Sequence, residues 1–118
     1  MHRVAVVVLA GTKQEDSLGR IVNALMAVKE FKENGDDVRL IFTGLGTTWL
    51  AELSQSNHAL HEVYLAIKDS IAGACGFCAN AYHATDHIKT CGIKILEEYG
   101  TNMSYRELIR GGYLVITF

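Results

Sequence analysis

The sequence predicts a single α/β domain, residues 1–118, built on a parallel sheet, and three observations carry that expectation. Strand-like and helix-like segments alternate along the chain, the first strand is continuously apolar, and no linker, repeat or low-complexity stretch breaks the order. A parallel strand covered on both faces reads as an unbroken β-branched run. The order βαβαβαβαβ then places helices on both faces of the sheet. A length of 118 residues suits one compact domain, which at this size buries roughly two-thirds of its unfolded surface.

Val4 to Ala10 is the first strand. The helix after it carries Leu18, Ile21, Val22, Leu25, Met26 and Phe31 at three- and four-residue spacing. Asp16 or Ser17 caps its start and Gly35 closes its end. Val38 to Thr43 is the second strand. Gly44-Leu45-Gly46-Thr47-Thr48 follows as a loop, and Thr47 or Thr48 caps a short helix through Trp49 and Leu53. Beyond the polar break Ser54 to Asn57, a longer helix carries Leu60, Val63, Tyr64 and Ile67. Ile71 to Cys75 reads as a short central strand of small residues, followed by a helix from about Phe77 to Thr90 that Gly92 terminates. Ile93 to Leu96, Ser104 to Ile109 and Tyr113 to Phe118 are the fourth strand, a short helix and the last strand. Open parallel sheets bind ligands beyond the carboxyl ends of their strands. That rule gathers three loops on one edge and makes Gly11, Thr12, Gly44, Gly46, Thr47 and Gly76 the expected substrate-binding positions.

Composition excludes several classes of function. The chain is 49% apolar and 20% charged, close to an ordinary globular protein. Its net charge of −2, with no basic run, argues against nucleic acid. The run Val4 to Ala10 is too short to cross a bilayer as a helix. No A-x-A site follows it, so a signal peptide is not expected. The expected setting is the cytoplasm, where thiols stay mostly reduced, and three cysteines are too few to staple a fold.

Cys75-Gly76-Phe77-Cys78 is the motif with the most chemistry. Cys75 ends a predicted strand and Cys78 lies in the first turn of a predicted helix, where unpaired N–H groups and the helix dipole stabilise a thiolate. Two intervening residues keep the sulfurs close enough for disulfide formation or sulfur transfer, and Gly76 lets a partner approach the backbone. The bland alternative is a pair of small buried thiols. At 100° per residue, Cys78 shares a side with Ala81, Tyr82 and Thr85 near the packed face. Cys75 is therefore expected nearer the opening as nucleophile or sulfur acceptor, with Cys78 as its resolving neighbour. Cys91, about 20 Å along the same helix at 1.5 Å per residue, reads as structural.

No metal or cofactor is expected. His83 and His87 point away from Cys78 on an ideal helix, and no second ligand pair completes a tetrahedron with the cysteines. Trp49 occupies the place of the third glycine of a dinucleotide loop, and no Walker lysine follows either glycine-rich turn. A thioredoxin-like reading lacks its cis-proline, because the chain has no proline.

In its order and spacing the chain resembles the DsrE/DsrF-like family of small sulfur-relay proteins related to the TusD subunit. The resemblance rests on the apolar first strand with its Gly11 turn, the helix ending Phe31-Lys32-Glu33-Asn34-Gly35, and the Val38 to Thr43 strand. It also rests on a cysteine closing the third strand, the helix start Cys78-Ala79-Asn80-Ala81, and the C-terminal strand. It implies a three-layer α/β/α fold with a five-stranded parallel sheet in the order 4-3-2-1-5. It also implies oligomers, and persulfide transfer through a strand-end cysteine. The family's sulfur-carrying cysteine maps to Cys75 by strand position and to Cys78 by the C-x-N pattern.

The expected function is therefore a cytoplasmic sulfur carrier or sulfurtransferase-like protein with a donor or acceptor protein as partner. Two other readings stay open: a non-catalytic oligomeric module for a small anion or partner peptide, and a dithiol–disulfide switch. Trp49, Tyr64 and Phe77 are candidate interface aromatics. The expectation is a homo-oligomer, a trimer or a multiple of one, with the Cys75 region near a subunit boundary.

Overall fold

Val4, Val6 and Val8 point to one side of the first strand, β1 (Arg3–Val8), and Ala5 and Val7 to the other, and all five are buried. β1 is thus the covered centre of the sheet. The computed structural model describes residues 1–118. Around β1 stand β2 (Asp37–Phe42), β3 (Ile71–Cys75), β4 (Ile95–Leu96) and β5 (Leu114–Thr117), all parallel, in the order 4-3-2-1-5. The helices are α1 (Ser17–Glu33), α2 (Trp49–Leu53), α3 (His61–Ile67), α4 (Gly76–Ala81), α5 (Thr85–Thr90) and α6 (Tyr105–Arg110). The three-layer architecture and the strand order are as expected.

The two faces of the sheet are covered unequally. One carries a cluster of 20 buried residues, drawn from α1, α2, α3, α5 and the facing strand residues Val4, Leu40, Phe42 and Ala74. The other carries only eight, among them Ala5, Val7, Ile41, Cys75, Met103 and Leu108. Each fully buried aliphatic or aromatic side chain stabilises the fold by about 1.5–3 kcal/mol, so the larger layer holds the molecule together.

β3 reaches both layers through a change of phase. Leu40 pairs with Ile71 but Ile41 pairs with Gly73, a shift of one residue. Ile71 and Ala74 consequently pack on the larger core, and Ala72 and Cys75 on the smaller. Gly73 at the shift has no space for a side chain, since an added Cβ would lie 2.5 Å from the Lys94 carbonyl oxygen.

Several sequence expectations are corrected. The helix expected from Phe77 to Thr90 is two helices, broken at Tyr82-His83-Ala84. His83 takes a left-handed φ of 57°. Its N–H reaches the Asn80 carbonyl, and the Ala84 N–H reaches the Ala79 carbonyl at 2.8 Å. This is a Schellman stop made without glycine, and the buried contact of Ala79 and Ala84 with the larger core holds it. Ala79 is the inward residue of α4, while Ala81 and Tyr82 are exposed, so the packed face is not the one that an unbroken helix predicts. On α1 the inward residues include Ala24 and Val28, while Leu18 and Met26 face outward. Thr47 and Thr48 are not caps: their hydroxyls donate backward to the Gly44 and Leu45 carbonyls at 2.9 and 2.7 Å. Asp16 pairs with Arg20 in place of capping α1. Trp49 and Tyr64 belong to the core at 3% and 1% exposure, and the Trp49 indole N–H is satisfied by the Ala10 carbonyl.

The turn after β2 seats against β1 so closely that a Cβ on Gly46 would fall 2.2 Å from the Val8 carbonyl oxygen. Gly46→Ala is therefore expected to destabilise the protein by about 1–3 kcal/mol or more through overpacking, read as a lower denaturation midpoint in urea. An unchanged midpoint would mean that the turn is free to move away.

Candidate functional site

The site forms where β3 ends and α4 begins. Cys75 is the last residue of β3 and sits immediately before α4, and Cys78 lies one turn into it. The thiol of Cys75 projects into the smaller core and is only 1% exposed, whereas Cys78 is half-buried. This reverses the expected arrangement, in which Cys75 was the more open of the two. The phase change in β3 turns Cys75 inward, and the seating of Ala79 in the larger core leaves Cys78 on the outer flank.

Both cysteines pack in the smaller core, and the Thr43 hydroxyl at the end of β2 reaches the Cys78 sulfur. Its oxygen lies 3.6 Å from the Cys78 sulfur. From the other side the Met103 N–H donates to the Cys75 sulfur at 3.4 Å, and the Asn102 side-chain oxygen is 3.9 Å away. Burial pushes the Cys75 thiol up. The Cys78 and Met103 N–H groups, the Cys78 thiol and the Thr43 hydroxyl outweigh that effect and hold it below its ordinary range. At six residues α4 is short, so these individual donors matter more than any helix dipole.

Met103 and Asn102 belong to the segment Glu97–Ser104, which folds across the turn. The Phe77 N–H donates to the Thr101 carbonyl at 2.7 Å, and Tyr99 and Asn102 exchange two backbone hydrogen bonds. Gly76 lies beneath it, where a Cβ would approach the Glu97 side chain to 2.7 Å. Tyr105 opens the next helix beside the thiols. Burial and the charges of Cys75 and Cys78 push its phenol up. Sequence reasoning missed Thr43, Asn102, Met103 and Tyr105 as parts of the site. None carries a motif, and the segment 97–104 reads as an ordinary connection.

The other expected positions separate. Thr12 lines a cavity of about 540 Å³ with Leu45, Tyr82 and His83, and Gly76 lines one of about 340 Å³ with Phe77, Lys89 and Glu97. Neither is lined by Cys75 or Cys78. Gly11 packs on Leu45, Gly44 adopts a φ of 55°, and Gly46 is wedged against β1. Thr47 is fully buried, with its hydroxyl bonded within its own turn. Their small size and polar groups are thus used by the chain itself. Cys91 packs on the larger core, its sulfur 3.8 Å from the Leu50 carbonyl oxygen and beside the buried Tyr64 hydroxyl. His83 and His87 are exposed, and no three His, Cys, Asp or Glu side chains converge in ligand geometry.

Fold and site together define an α/β protein of DsrE/YchN-like fold with a dithiol at a strand-to-helix turn. YchN of E. coli aligns with it over 100% of both chains, with a TM-score of 0.59 and 17% identity. BT1422 of Bacteroides thetaiotaomicron, a conserved protein of unknown function, aligns over 97% of this chain and 94% of its own, with a TM-score of 0.64 and 17% identity. In sequence, the chain is 27% identical over 104 residues to the uncharacterized protein MJ0733 of Methanocaldococcus jannaschii, spanning 88% of this chain and 84% of that protein. No family model matches the sequence.

A lowered thiol pKa means that the Cys75 thiolate exceeds the fraction of an ordinary thiol at any pH below the ordinary value. The linked stability is present in full above the unfolded-chain value and is lost as pH falls through the folded one. Titration of the ultraviolet thiolate band, as the difference between wild type and Cys75→Ser, should give a midpoint below that of a free thiol. Thr43→Val should raise that midpoint. A wild-type midpoint at or above the ordinary thiol value would remove the hydrogen-bond account of this site.

Proposed function

We propose that this chain is a thiol-based sulfur carrier of the cytoplasm that accepts the terminal sulfur of a persulfide on its cysteine pair. The observation that supports the reading is the pairing, three residues apart and packed in the same small core, of a buried, hydrogen-bonded Cys75 with a half-open Cys78. Cys78 is the sulfur that an external donor can reach. Its thiolate attacks the outer sulfur of a donor R–S–SH, forming a Cys78–sulfur bond while the donor leaves as its thiol.

Phe77, between the cysteines and 54% exposed, offers an apolar contact beside the entry to the pair. Exposed aromatics of this kind are enriched in interface cores, and the reading includes a donor or acceptor protein and self-association as a trimer or a multiple of one.

Reduced protein mixed with glutathione persulfide and quenched in acid should gain one sulfur atom, mapped to the Cys75–Cys78 peptide. Cys91→Ser should load normally, and the double variant Cys75→Ser/Cys78→Ser should not load at all. Loading that persists in the double variant would end the carrier proposal. Light scattering on the eluting peak tests assembly, for which a mass near the monomer value of 13.0 kDa over the micromolar range would be the negative outcome.

A further inference from the structure

A carrier needs one thiol, and this site holds two, three residues apart and packed in the same small core. The second thiol has consequences that follow from packing. Cys75 is buried in the smaller core, beside its strand partner Leu96 and against Met103. A persulfide on Cys75 would have to fit an additional sulfur atom into that packed space, where overfilling is destabilising. Cys78 is only half-buried at the edge of that core, so a persulfide there has solvent-exposed space for its outer sulfur. Cys75 remains on the inner side, in the core against which Cys78 packs, with the Met103 N–H donating to its sulfur at 3.4 Å. Attack from this inner side falls on the Cys78 Sγ, the inner sulfur of its persulfide. That is the arrangement needed for displacement at the inner sulfur.

We infer that, when no acceptor collects the sulfur, Cys75 discharges the Cys78 persulfide as hydrogen sulfide and the pair closes to a Cys75–Cys78 disulfide. The inference rests on the carrier reading and names a second activity of the same site, a persulfide reductase half-reaction. The Cys75 thiolate forms a bond to the Cys78 Sγ, the bond from Cys78 Sγ to the terminal sulfur breaks, and that sulfur departs with its electron pair as HS⁻. The terminal sulfur is reduced by two electrons, and the two cysteine sulfurs are oxidised to the disulfide. The persulfide itself is the oxidant, so none other is required. A two-residue spacing keeps the thiols close enough for the bond, and a dithiol reductant returns the pair to its starting state. Thr43, whose hydroxyl lies 3.6 Å from the Cys78 sulfur, is the positioning residue for this step.

The experiment follows the loaded protein in time. Wild type, Cys75→Ser and Cys78→Ser are mixed with less than one equivalent of glutathione persulfide, without reductant. They are followed by acid-quench mass spectrometry and a sulfide electrode. Expected for wild type is one sulfide released per sulfur taken up, ending in a Cys75–Cys78 disulfide-linked peptide two hydrogens lighter than the reduced form. Cys75→Ser should hold its sulfur on Cys78 with release at least about tenfold slower, and Cys78→Ser should load poorly. Thr43→Val should slow discharge more than loading. Wild type that keeps its added sulfur and releases no sulfide would overturn this inference alone and leave the carrier standing. Equal release from Cys75→Ser would overturn it as well. Failure of both wild type and Cys75→Ser to take up any sulfur would remove the carrier reading and this inference together. The disulfide peptide in wild type is decisive even if a variant folds poorly.

Discussion

Much of this site follows from the phase of one strand. Residues two apart in a strand face the same side of a sheet, so regular pairing would put Cys75 on the side of Ile71, beneath the helices of the larger core. The one-residue shift between Leu40 and Ile41 prevents this, and Cys75 faces the smaller layer with Ala72. A register slip of one residue exchanges the two faces of a strand. Gly73 makes the shift possible, because the Lys94 carbonyl and the Leu96 side chain occupy the space of any Cβ there. The strand's small residues are therefore a condition of the site and more than a filling for a tight sheet.

The layer that Cys75 enters is thin. Leu108 and Tyr113 cover part of it, and the segment Glu97–Ser104 completes it with backbone as well as side chains. Backbone matters here because a buried thiolate is stabilised by N–H donors, and Met103, in the connection before α6, presents one to the Cys75 sulfur. The same arrangement separates two properties that a single cysteine would have to combine. Cys75 is tuned but enclosed, and Cys78 is reachable.

The glycines of the neighbouring turns illustrate a different constraint. A glycine reports that something approaches the backbone closely, and it does not say whether that something is a ligand or the chain itself. At Gly46 it is the Val8 carbonyl, and at Gly11 it is Leu45. The opposite end of the sheet is closed by a polar cluster. There the Tyr113 hydroxyl donates to Asp37 at 2.7 Å, while Arg3 and Arg39 lie over the Tyr113 ring at 4.5 Å. These contacts anchor the end of α6 to β1 and β2. They keep the outer layer in place over the thiols.

The sequence by itself determined the order and type of the elements, the parallel sheet and the helix stops at Gly35 and Gly92. It also located the cysteine pair at the end of a central strand. All of these depend on side-chain periodicity and on residues adjacent in the chain, so they can be read locally. The break at His83 was not legible, because the left-handed residue there is not a glycine and its stabilising contact is the burial of Ala79 and Ala84 in a core formed by other segments. The direction of Cys75 was not legible either, since the pairing of β3 with β2 sets it. Nor were its hydrogen-bond partners, as Met103 lies 28 residues away and Thr43 lies on another strand. Which thiol is tuned and which is open was decided only by tertiary structure, because burial and hydrogen bonding at one residue depend on what the rest of the chain brings beside it.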